Sequence, residues 1–230
     1  MLTQVAQRER AWDCATGNGQ VALALAPYFQ QVDATDISEP QLAQAPRVPN
    51  VKYQVASAES SDFLPGVFDL VTVGQAAHWF QLDAFYHEVN RVAKPHALLA
   101  LWGYGLLQTE DADVNQALHQ LYSEVTGPYW EPERKLIDTH YSTIPFPFRE
   151  IACPQFEMAF DWDIETLSGY LSTWSAVRKY MTLHASDPVA PWIDRVRVPW
   201  GSGTRKVLFP LFVRAGHVMP PKGALPRSRS

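Results

Sequence analysis

The stretch Ala11-Trp12-Asp13-Cys14-Ala15-Thr16-Gly17-Asn18-Gly19-Gln20, residues 11–20, joins a short apolar run to a glycine-rich turn. Residues 10–15 predict a buried strand, and the apolar period from residue 19 to about residue 25 predicts a helix. A glycine-rich turn between a strand and a helix lets a ligand approach the backbone, and the start of the helix offers free N–H groups. The stretch therefore predicts a ligand site.

The rest of the first half alternates in the same way. Strands are predicted over residues 31–35, 51–56, 68–74 and 97–104, with helices over residues 39–45 and after Asp83, which we expect to cap the second of them. The run 68–74 is nearly continuous in apolar character, as in a strand buried on both faces of a parallel sheet. This alternation predicts an α/β sheet with right-handed crossovers.

The second half is rich in proline and aromatic residues and has a different rhythm. Val114, Leu118, Leu121 and Val125 mark one face of a helix, and residues 156–162 predict a strand. Asp163 is placed to cap a further helix, and residues 206–214 predict a last strand. The aromatic content suits the wall of a small-molecule pocket.

Composition excludes several classes of function. The chain has 230 residues and a formal net charge of -5, which argues against nucleic acid as the main partner. No apolar run approaches the roughly 20 residues that span a bilayer, and the N-terminus has no signal-peptide pattern. Two cysteines without a C-x-x-C spacing suggest neither a metal site nor a redox pair. We expect a cytoplasmic protein with a small-molecule substrate, no membrane and no metal.

Two acidic residues flank the glycine turn. Asp36 follows the second predicted strand, 19 residues beyond Gly17, where a carboxylate can accept hydrogen bonds from both hydroxyls of a ribose. The turn formally fits the dinucleotide pattern G-x-G-x-x-G/A. Asp13, just ahead of the turn, would repel a pyrophosphate and attract the ammonium of a methionine moiety. The acids therefore favour S-adenosylmethionine (SAM) over NAD, and an NAD-dependent oxidoreductase stays an alternative although no Tyr-x-x-x-Lys lies near the site.

The segments Asp13–Gly19, Val32–Asp36, Ala58–Glu59 and Phe68–Phe80 follow one another along the first half of the chain. Taken in order, these four segments resemble the motifs of class I SAM-dependent methyltransferases. The subgroup that they resemble most is the type 11, trans-aconitate-methyltransferase-like one, which has similar segments around residues 75–80 and 88–95 and, in the second half, around residues 144–148 and 170–175.

The resemblance implies a Rossmann-like, doubly wound sheet of seven strands in the order 3-2-1-4-5-7-6, with the last strand antiparallel. A helical, aromatic-rich substrate cap is inserted after strand 5. The implied organisation is a SAM-binding half over residues 1–105, a cap with the final strands over residues 106–217, and a flexible tail over residues 218–230.

The resemblance also implies the cofactor residues. Asp13, Ala15, Gly17 and Gly19 would border the methionine portion, with Ala15 standing where the first glycine of D-x-G-x-G-x-G is usual. Asp36 would take the ribose hydroxyls, Ile37 would pack on the adenine, and Ala58 and Glu59 would flank its edge. Gly74 and Gln75 would lie beside the sulfonium.

Methyl transfer from a sulfonium is a direct in-line displacement, so positioning can supply much of the rate. A carboxylic acid acceptor would need no base. His78 follows the fourth strand and is the candidate acceptor-side residue, with packing at the sheet edge as its alternative role. Arg149 and Arg178 could hold an acidic substrate, although solvated surface arginines are more common.

The chain starts only ten residues before Ala11. The resemblance implies helices ahead of the first strand that fold over the cofactor, so we expect either a misplaced start or a lost lid. The second case defines another alternative, a weakly active or non-catalytic remnant that binds a nucleoside or a partner.

Overall fold

A computed structural model describes residues 2–219 of the chain. The chain forms two compact units. Among the described residues, the first comprises residues 2–103, 140–154 and 212–219, and the second comprises residues 104–139 and 155–211. The chain therefore leaves the first unit twice and returns to it twice. The predicted division at residue 105 into a cofactor-binding half and a substrate cap stays a prediction.

Nine strands and eight α-helices lie within residues 2–219. The strands are β1 (Arg10–Cys14), β2 (Gln31–Asp36), β3 (Val51–Val55), β4 (Phe68–Gly74), β5 (Ala93–Tyr104), β6 (Gln108–Thr109), β7 (Arg149–Ile151), β8 (Phe156–Trp162) and β9 (Arg205–His217). The helices are α1 (Gln20–Leu25), α2 (Glu39–Leu42), α3 (Leu82–Val92), α4 (Ala112–Gln120), α5 (Arg134–Asp138), α6 (Ile164–Ser172), α7 (Ser175–His184) and α8 (Val189–Trp200).

The first unit holds a parallel sheet in the order β3-β2-β1-β4-β5. This order confirms the α/β, Rossmann-like prediction. Successive residues of β1 point to opposite faces of the sheet. Ala11 shares a buried cluster with Ala22 of α1, whereas the Trp12 ring lies 6.4 Å from the Phe85 ring of α3. Helices therefore cover both faces, as the doubly wound fold requires.

The strand count differs from the predicted seven. Three short strands, β6, β7 and β8, pair antiparallel with β9, which follows β5 in the sheet order. In the first unit β7 pairs with residues 215–217, and in the second unit β6 and β8 pair with residues 205–211. The reason is length: the 13 residues of β9 span about 43 Å at roughly 3.3 Å per residue, so several short partners share one strand.

The second unit is helical and rich in aromatic residues, as predicted. Its core gathers Leu118 of α4, Leu171 of α6, Ile193 of α8 and Phe209 of β9. Asp163 caps α6 by accepting a hydrogen bond from the Thr166 backbone N–H at 2.7 Å, which confirms that part of the pattern.

The start of α3 differs from the prediction. The helix begins at Leu82 after Gln81, so Asp83 lies in its first turn and is not its cap. The residue keeps a helical function there, because a carboxylate in the first turn interacts favourably with the positive end of the helix dipole.

Of the predicted tail, residues 220–230 lie outside the described residues. Val218 is buried, and its backbone exchanges hydrogen bonds with His96 and Ala97 at 2.9 and 2.8 Å. Among the helices described, none combines the length and the apolar character needed to cross a membrane.

Candidate functional site

A cavity of about 550 Å³ opens in the first unit beyond the carboxyl ends of β1, β2 and β4. This edge of a doubly wound sheet is where ligands bind. Eight of the predicted cofactor residues line the cavity: Ala15, Gly17, Asp36, Ile37, Ala58, Glu59, Gly74 and Gln75. The other two do not line the cavity: Asp13 is buried within β1, and Gly19 is the loop residue directly before α1. Six lining residues were not predicted as cofactor residues: Ser38, Gln41, Ala56, Ala76, Trp79 and Phe80.

The loop after β1 is built on left-handed backbone. Ala15, Gly17 and Gly19 have φ angles of 54°, 59° and 83°. Glycine adopts this region at little cost, whereas an alanine there is strained. A Cβ at Gly19 would lie 2.6 Å from the Tyr53 hydroxyl, so this position also needs glycine for space.

Asp13 stabilises the loop from behind. Its side chain is buried and accepts hydrogen bonds from the hydroxyls of Thr16 at 2.5 Å and Thr72 at 2.9 Å. Burial raises the pKa of this carboxyl to about 6, while the hydrogen bonds from the two threonines oppose the rise. Contact of Asp13 with a ligand ammonium stays a prediction, because the residue does not line the cavity.

Asp36 joins the end of β2 to the same loop. Its Oδ2 atom accepts a hydrogen bond from the Gly17 backbone N–H, and its Oδ1 atom accepts one from the Ser38 N–H, each at 2.8 Å. Each carboxylate oxygen can accept more than one hydrogen bond. Asp36 therefore holds the loop in place and keeps acceptor capacity toward the cavity.

Glu59 connects two further loops at the opposite wall. Its Oε1 atom accepts a hydrogen bond from the Gln81 backbone N–H at 3.0 Å, and its Oε2 atom is hydrogen-bonded to the Ser57 hydroxyl. Ile37, in contrast, leaves 78% of its surface exposed although it lines the cavity. An exposed isoleucine at a cavity rim suits the packing of a flat apolar group.

The end of β4 forms the third wall. Gln75 has a φ of 54°, and its backbone N–H donates to the Trp102 carbonyl at 2.8 Å. A Cβ at Gly74 would lie 3.1 Å from the Trp102 ring, so a larger residue would press on that ring. Trp79 is 59% exposed and lines the cavity.

His78 lies in a 3-10 turn, Ala77–Trp79, just after this strand. It is buried, and its Nδ1 atom lies 3.0 Å from the Tyr141 hydroxyl. His78 does not line the cavity itself, although Ala76 and Trp79 on either side of it do. Its acceptor-side role therefore stays a prediction.

Tyr141 was not singled out in the sequence. It is fully buried, and both it and His140 have positive φ angles, 56° and 54°. The Arg214 guanidinium donates to the Tyr141 carbonyl at 2.9 Å and holds this strained backbone. No sequence pattern marks such a residue, because its position depends on a return of the chain from the second unit.

The charges of the cavity are negative. Asp36 and Glu59 are its charged lining residues, and no lysine or arginine lines it in the described part of the chain. A pyrophosphate is normally met by backbone N–H groups or by cations, and carboxylates would repel it. The wall therefore suits a neutral or cationic ligand better than a dinucleotide.

Comparisons with known proteins give a consistent result. The methyltransferase-domain family matches residues 12–101. A Dictyostelium discoideum protein assigned as a methyltransferase is 34% identical over 177 residues, which cover 76% of this chain and 67% of that protein. Saccharomyces cerevisiae CRG1, assigned as an S-adenosylmethionine-dependent methyltransferase, is 27% identical over 58% of this chain and 50% of its own length. The chain thus spans about two-thirds and one-half of these two relatives.

A solved structure covers more. A protein of Anaeromyxobacter dehalogenans, assigned as a type II methyltransferase, is 38% identical with a TM-score of 0.88, over 95% of this chain and 94% of that chain. The Bacillus subtilis YcgJ structure, at 19% identity and a TM-score of 0.58, supports the fold alone.

Proposed function

The chain belongs to the methyltransferase-domain family, and from this premise we propose that it transfers the methyl group of SAM to a small-molecule acceptor. The observation that carries the cofactor is the cavity at the carboxyl edge of the sheet. Its wall combines a carboxylate at the end of β2 with a glycine loop, and no cation lines it among the described residues. These features suit a nucleoside with a sulfonium and an ammonium.

The residues present fit this cofactor. Gly19 and Gly74 stand where a Cβ would press on Tyr53 or Trp102, so glycine lets the loop and the end of β4 pack closely on these rings. Asp36 has acceptor capacity for ribose hydroxyls, and Ile37 and Trp79 offer apolar surface for a base. When bound, SAM would supply a methyl group on a positively charged sulfur.

The chain contributes positioning more than proton chemistry. The hydrogen bonds of Asp36 and Glu59 fix the loops that border the cavity, and a fixed cofactor needs little reorganisation before transfer. A carboxylate acceptor reacts without losing a proton. For an acceptor that must lose one, His78, oriented through Nδ1 by Tyr141, is the residue that we propose to take it.

Neither alternative is favoured by the observations. An NAD-dependent oxidoreductase is not favoured, because the relatives that match this chain are methyltransferases. The non-catalytic remnant was suggested by the short N-terminus alone, and no contact among the described residues of the cavity supports it.

Two finer statements belong to the proposal. We propose a cytoplasmic location, because the two cysteines, Cys14 and Cys153, are unpaired. We also propose that the acceptor is a carboxylic acid, because a carboxylate can be methylated without a base to remove a proton.

Calorimetric titration of the full chain with S-adenosylhomocysteine and, separately, with NADH tests the cofactor. We expect one equivalent of S-adenosylhomocysteine to bind with micromolar affinity and NADH to give no binding heat. Binding of NADH alone, or of neither ligand by a folded sample, would contradict the proposal.

A further inference from the structure

Three aromatic side chains of the second unit form a compact group. The ring centroids of Tyr122 and Trp130 are 5.2 Å apart, those of Tyr122 and Trp174 are 5.7 Å apart, and those of Trp130 and Trp174 are 5.5 Å apart. We call these three residues the aromatic triangle. Trp174 is buried, whereas Tyr122 and Trp130 keep part of their surface exposed. The triangle is therefore a wall that a ligand can reach.

The local backbone holds the triangle in place. A π-helical turn, Leu121–Val125, follows α4 and carries Tyr122. The Tyr122 carbonyl accepts hydrogen bonds from the Trp130 Nε1–H and from the Thr126 hydroxyl, each at 3.2 Å. Single π-helical turns are rare and frequently occur at functional sites. This irregularity is a first indication that the triangle has a role besides packing.

Arg134, the first residue of α5, covers the triangle. Its guanidinium carbon lies 4.7 Å from the Trp130 ring centroid and 5.5 Å from that of Tyr122. Its Nε–H donates to the Tyr122 hydroxyl at 3.0 Å. The two terminal nitrogens, Nη1 and Nη2, make no hydrogen bond or ion pair with any residue in the range 2–219. The guanidinium is thus fixed in orientation while its outer N–H groups stay available.

Three other arginines of the second unit, in contrast, use at least one terminal nitrogen in a side-chain contact. Arg197 and Arg205 form ion pairs with carboxylates through their terminal nitrogens, and the Nη1 atom of Arg195 donates to Gln120. The carboxylate of Asp138 lies close to Arg134 but is bound to Tyr122: it accepts a hydrogen bond from the Tyr122 hydroxyl at 2.5 Å. Tyr122 thus binds both groups, and no ion pair joins Arg134 to Asp138 in the described chain.

Tyr122 is neutral in this arrangement. Burial, followed by the hydrogen bond to Asp138, raises the pKa of its hydroxyl to about 12. Near neutral pH the hydroxyl is therefore protonated, so it donates a hydrogen bond to Asp138 and accepts one from Arg134. One positive charge stays on the outer side of Arg134.

We propose that Arg134 and the aromatic triangle bind the carboxylate of an organic acid that has an apolar or aromatic body. A guanidinium with two free parallel N–H groups matches a carboxylate in bidentate geometry, and its contact with the rings reduces the entropy lost on binding. A single cation with Asp138 nearby favours a singly charged carboxylate over a doubly charged phosphate. The statement that this acid is the methyl acceptor rests on the proposed function; the binding site does not.

The test uses phenylacetate as the probe and the full-length chain without cofactor. The Trp130 indole N–H resonance, assigned by its loss in Trp130→Phe, reports binding in ¹H–¹⁵N spectra. We expect phenylacetate to shift this resonance, and we expect Arg134→Met to weaken the affinity by about tenfold or more, as for loss of a charge-assisted hydrogen-bond pair. Arg197→Met is the matched control, because Arg197 is an exposed arginine of the same unit whose guanidinium is paired with Glu165, and it should leave the affinity unchanged.

Further comparisons separate charge from shape. Phenylacetamide has a similar shape without the charge and should bind far more weakly than phenylacetate, and phenyl phosphate should not bind more tightly. Tyr122→Phe keeps the ring but frees the Arg134 Nε, so it should lower affinity less than Arg134→Met does.

Four results would overturn the proposal: equal affinity in Arg134→Met, equal binding of phenylacetamide, tighter binding of phenyl phosphate, or no shift of the Trp130 resonance in folded wild-type protein. Titration of the same sample with S-adenosylhomocysteine distinguishes this outcome from a failure of the proposed function, because the two sites are measured with different ligands.

Discussion

The Asp36 Oδ2 atom accepts a hydrogen bond of 2.8 Å from the backbone N–H of Gly17, and this bond ties the end of β2 to the loop after β1. The two residues are 19 positions apart in the sequence, and they are brought together by the parallel pairing of β1 with β2. One carboxylate thus fixes the loop and faces the cavity that the loop borders.

Replacing Asp36 should weaken cofactor binding more than it weakens the fold. We expect Asp36→Ala to lower the affinity for S-adenosylhomocysteine by about tenfold or more, because it removes charge-assisted acceptors both for the loop and for the ribose hydroxyls. Calorimetry measures the change. Glu39→Ala is the control, since Glu39 is an exposed acid three residues away that does not line the cavity. Equal effects of the two substitutions would contradict the role of Asp36.

Glycine in place of Ala15 should stabilise the protein. Ala15 has a φ of 54°, a conformation that costs an L-residue about 1–2 kcal/mol more than glycine, and the greater freedom of glycine in the unfolded chain offsets part of this. We expect Ala15→Gly to raise the free energy of unfolding by about 0.5–1 kcal/mol in urea titrations.

A second alanine with positive φ provides the matched control. Ala185, at the end of α7, has a φ of 51° and lies outside the lining of the cavity. Ala185→Gly should stabilise to a similar extent without changing cofactor affinity, whereas Ala15→Gly alters the cavity wall itself. Destabilisation by both substitutions would show that neither backbone is strained.

The buried carboxyl of Asp13 should make stability depend on pH. Burial raises its pKa from 3.8 to about 6, so the native state holds this proton more tightly than the unfolded state does. The resulting stabilisation is present in full below about pH 4 and is lost as the pH rises through about 6. Relative to Asp13→Asn, which cannot titrate, the wild type should lose as much as about 3 kcal/mol across this range. Urea unfolding at each pH measures the difference.

The pH dependence of ligand affinity tests the predicted contact of Asp13 with a ligand ammonium. An ammonium near this carboxyl favours its ionised form, so the affinity for S-adenosylhomocysteine should rise as the pH approaches about 6 and then level off. The profile of Asp13→Asn should be flat. A flat profile in the wild type would mean that Asp13 does not contact the ligand and only stabilises the loop.

Gly19 should tolerate no side chain. A Cβ there would lie 2.6 Å from the Tyr53 hydroxyl, in addition to the strain of a φ of 83°. Gly66 has a φ of 65°, and a Cβ added there would meet nothing within 4 Å, so Gly66→Ala measures the backbone strain alone. We expect Gly19→Ala to cost about 1–3 kcal/mol more than Gly66→Ala in urea unfolding. Equal costs would mean that Tyr53 moves aside freely.

Much of the first unit could be predicted because its signals are local. The continuous apolar run of β4 and the glycine turn after β1 depend on a few neighbouring residues, and β4 has the predicted bounds. In the second unit α8 was not predicted: it contains Pro191 in its first turn, where the missing N–H has no helical partner in any case, and Pro199 near its end. No element was predicted from the sequence for residues 189–200, although proline in the first turn is compatible with a helix.

The residues of the candidate site also differ in whether the sequence could predict their positions. Residues that follow a strand end, such as Asp36 and Gly74, could be placed at the cavity because parallel strands share one carboxyl edge. The Tyr141 hydroxyl and the orientation of Arg134 depend on backbone that no short motif encodes, a left-handed pair and a π-helical turn. Such residues become visible only when the chain is folded.

The most direct test of the central claim is a crystal structure of the full chain with S-adenosylhomocysteine bound. We predict the nucleoside in the cavity at the carboxyl ends of β1, β2 and β4, with the ribose hydroxyls donating to Asp36. Density for the ligand at another place on the chain, or a ribose that makes no contact with Asp36, would contradict this prediction.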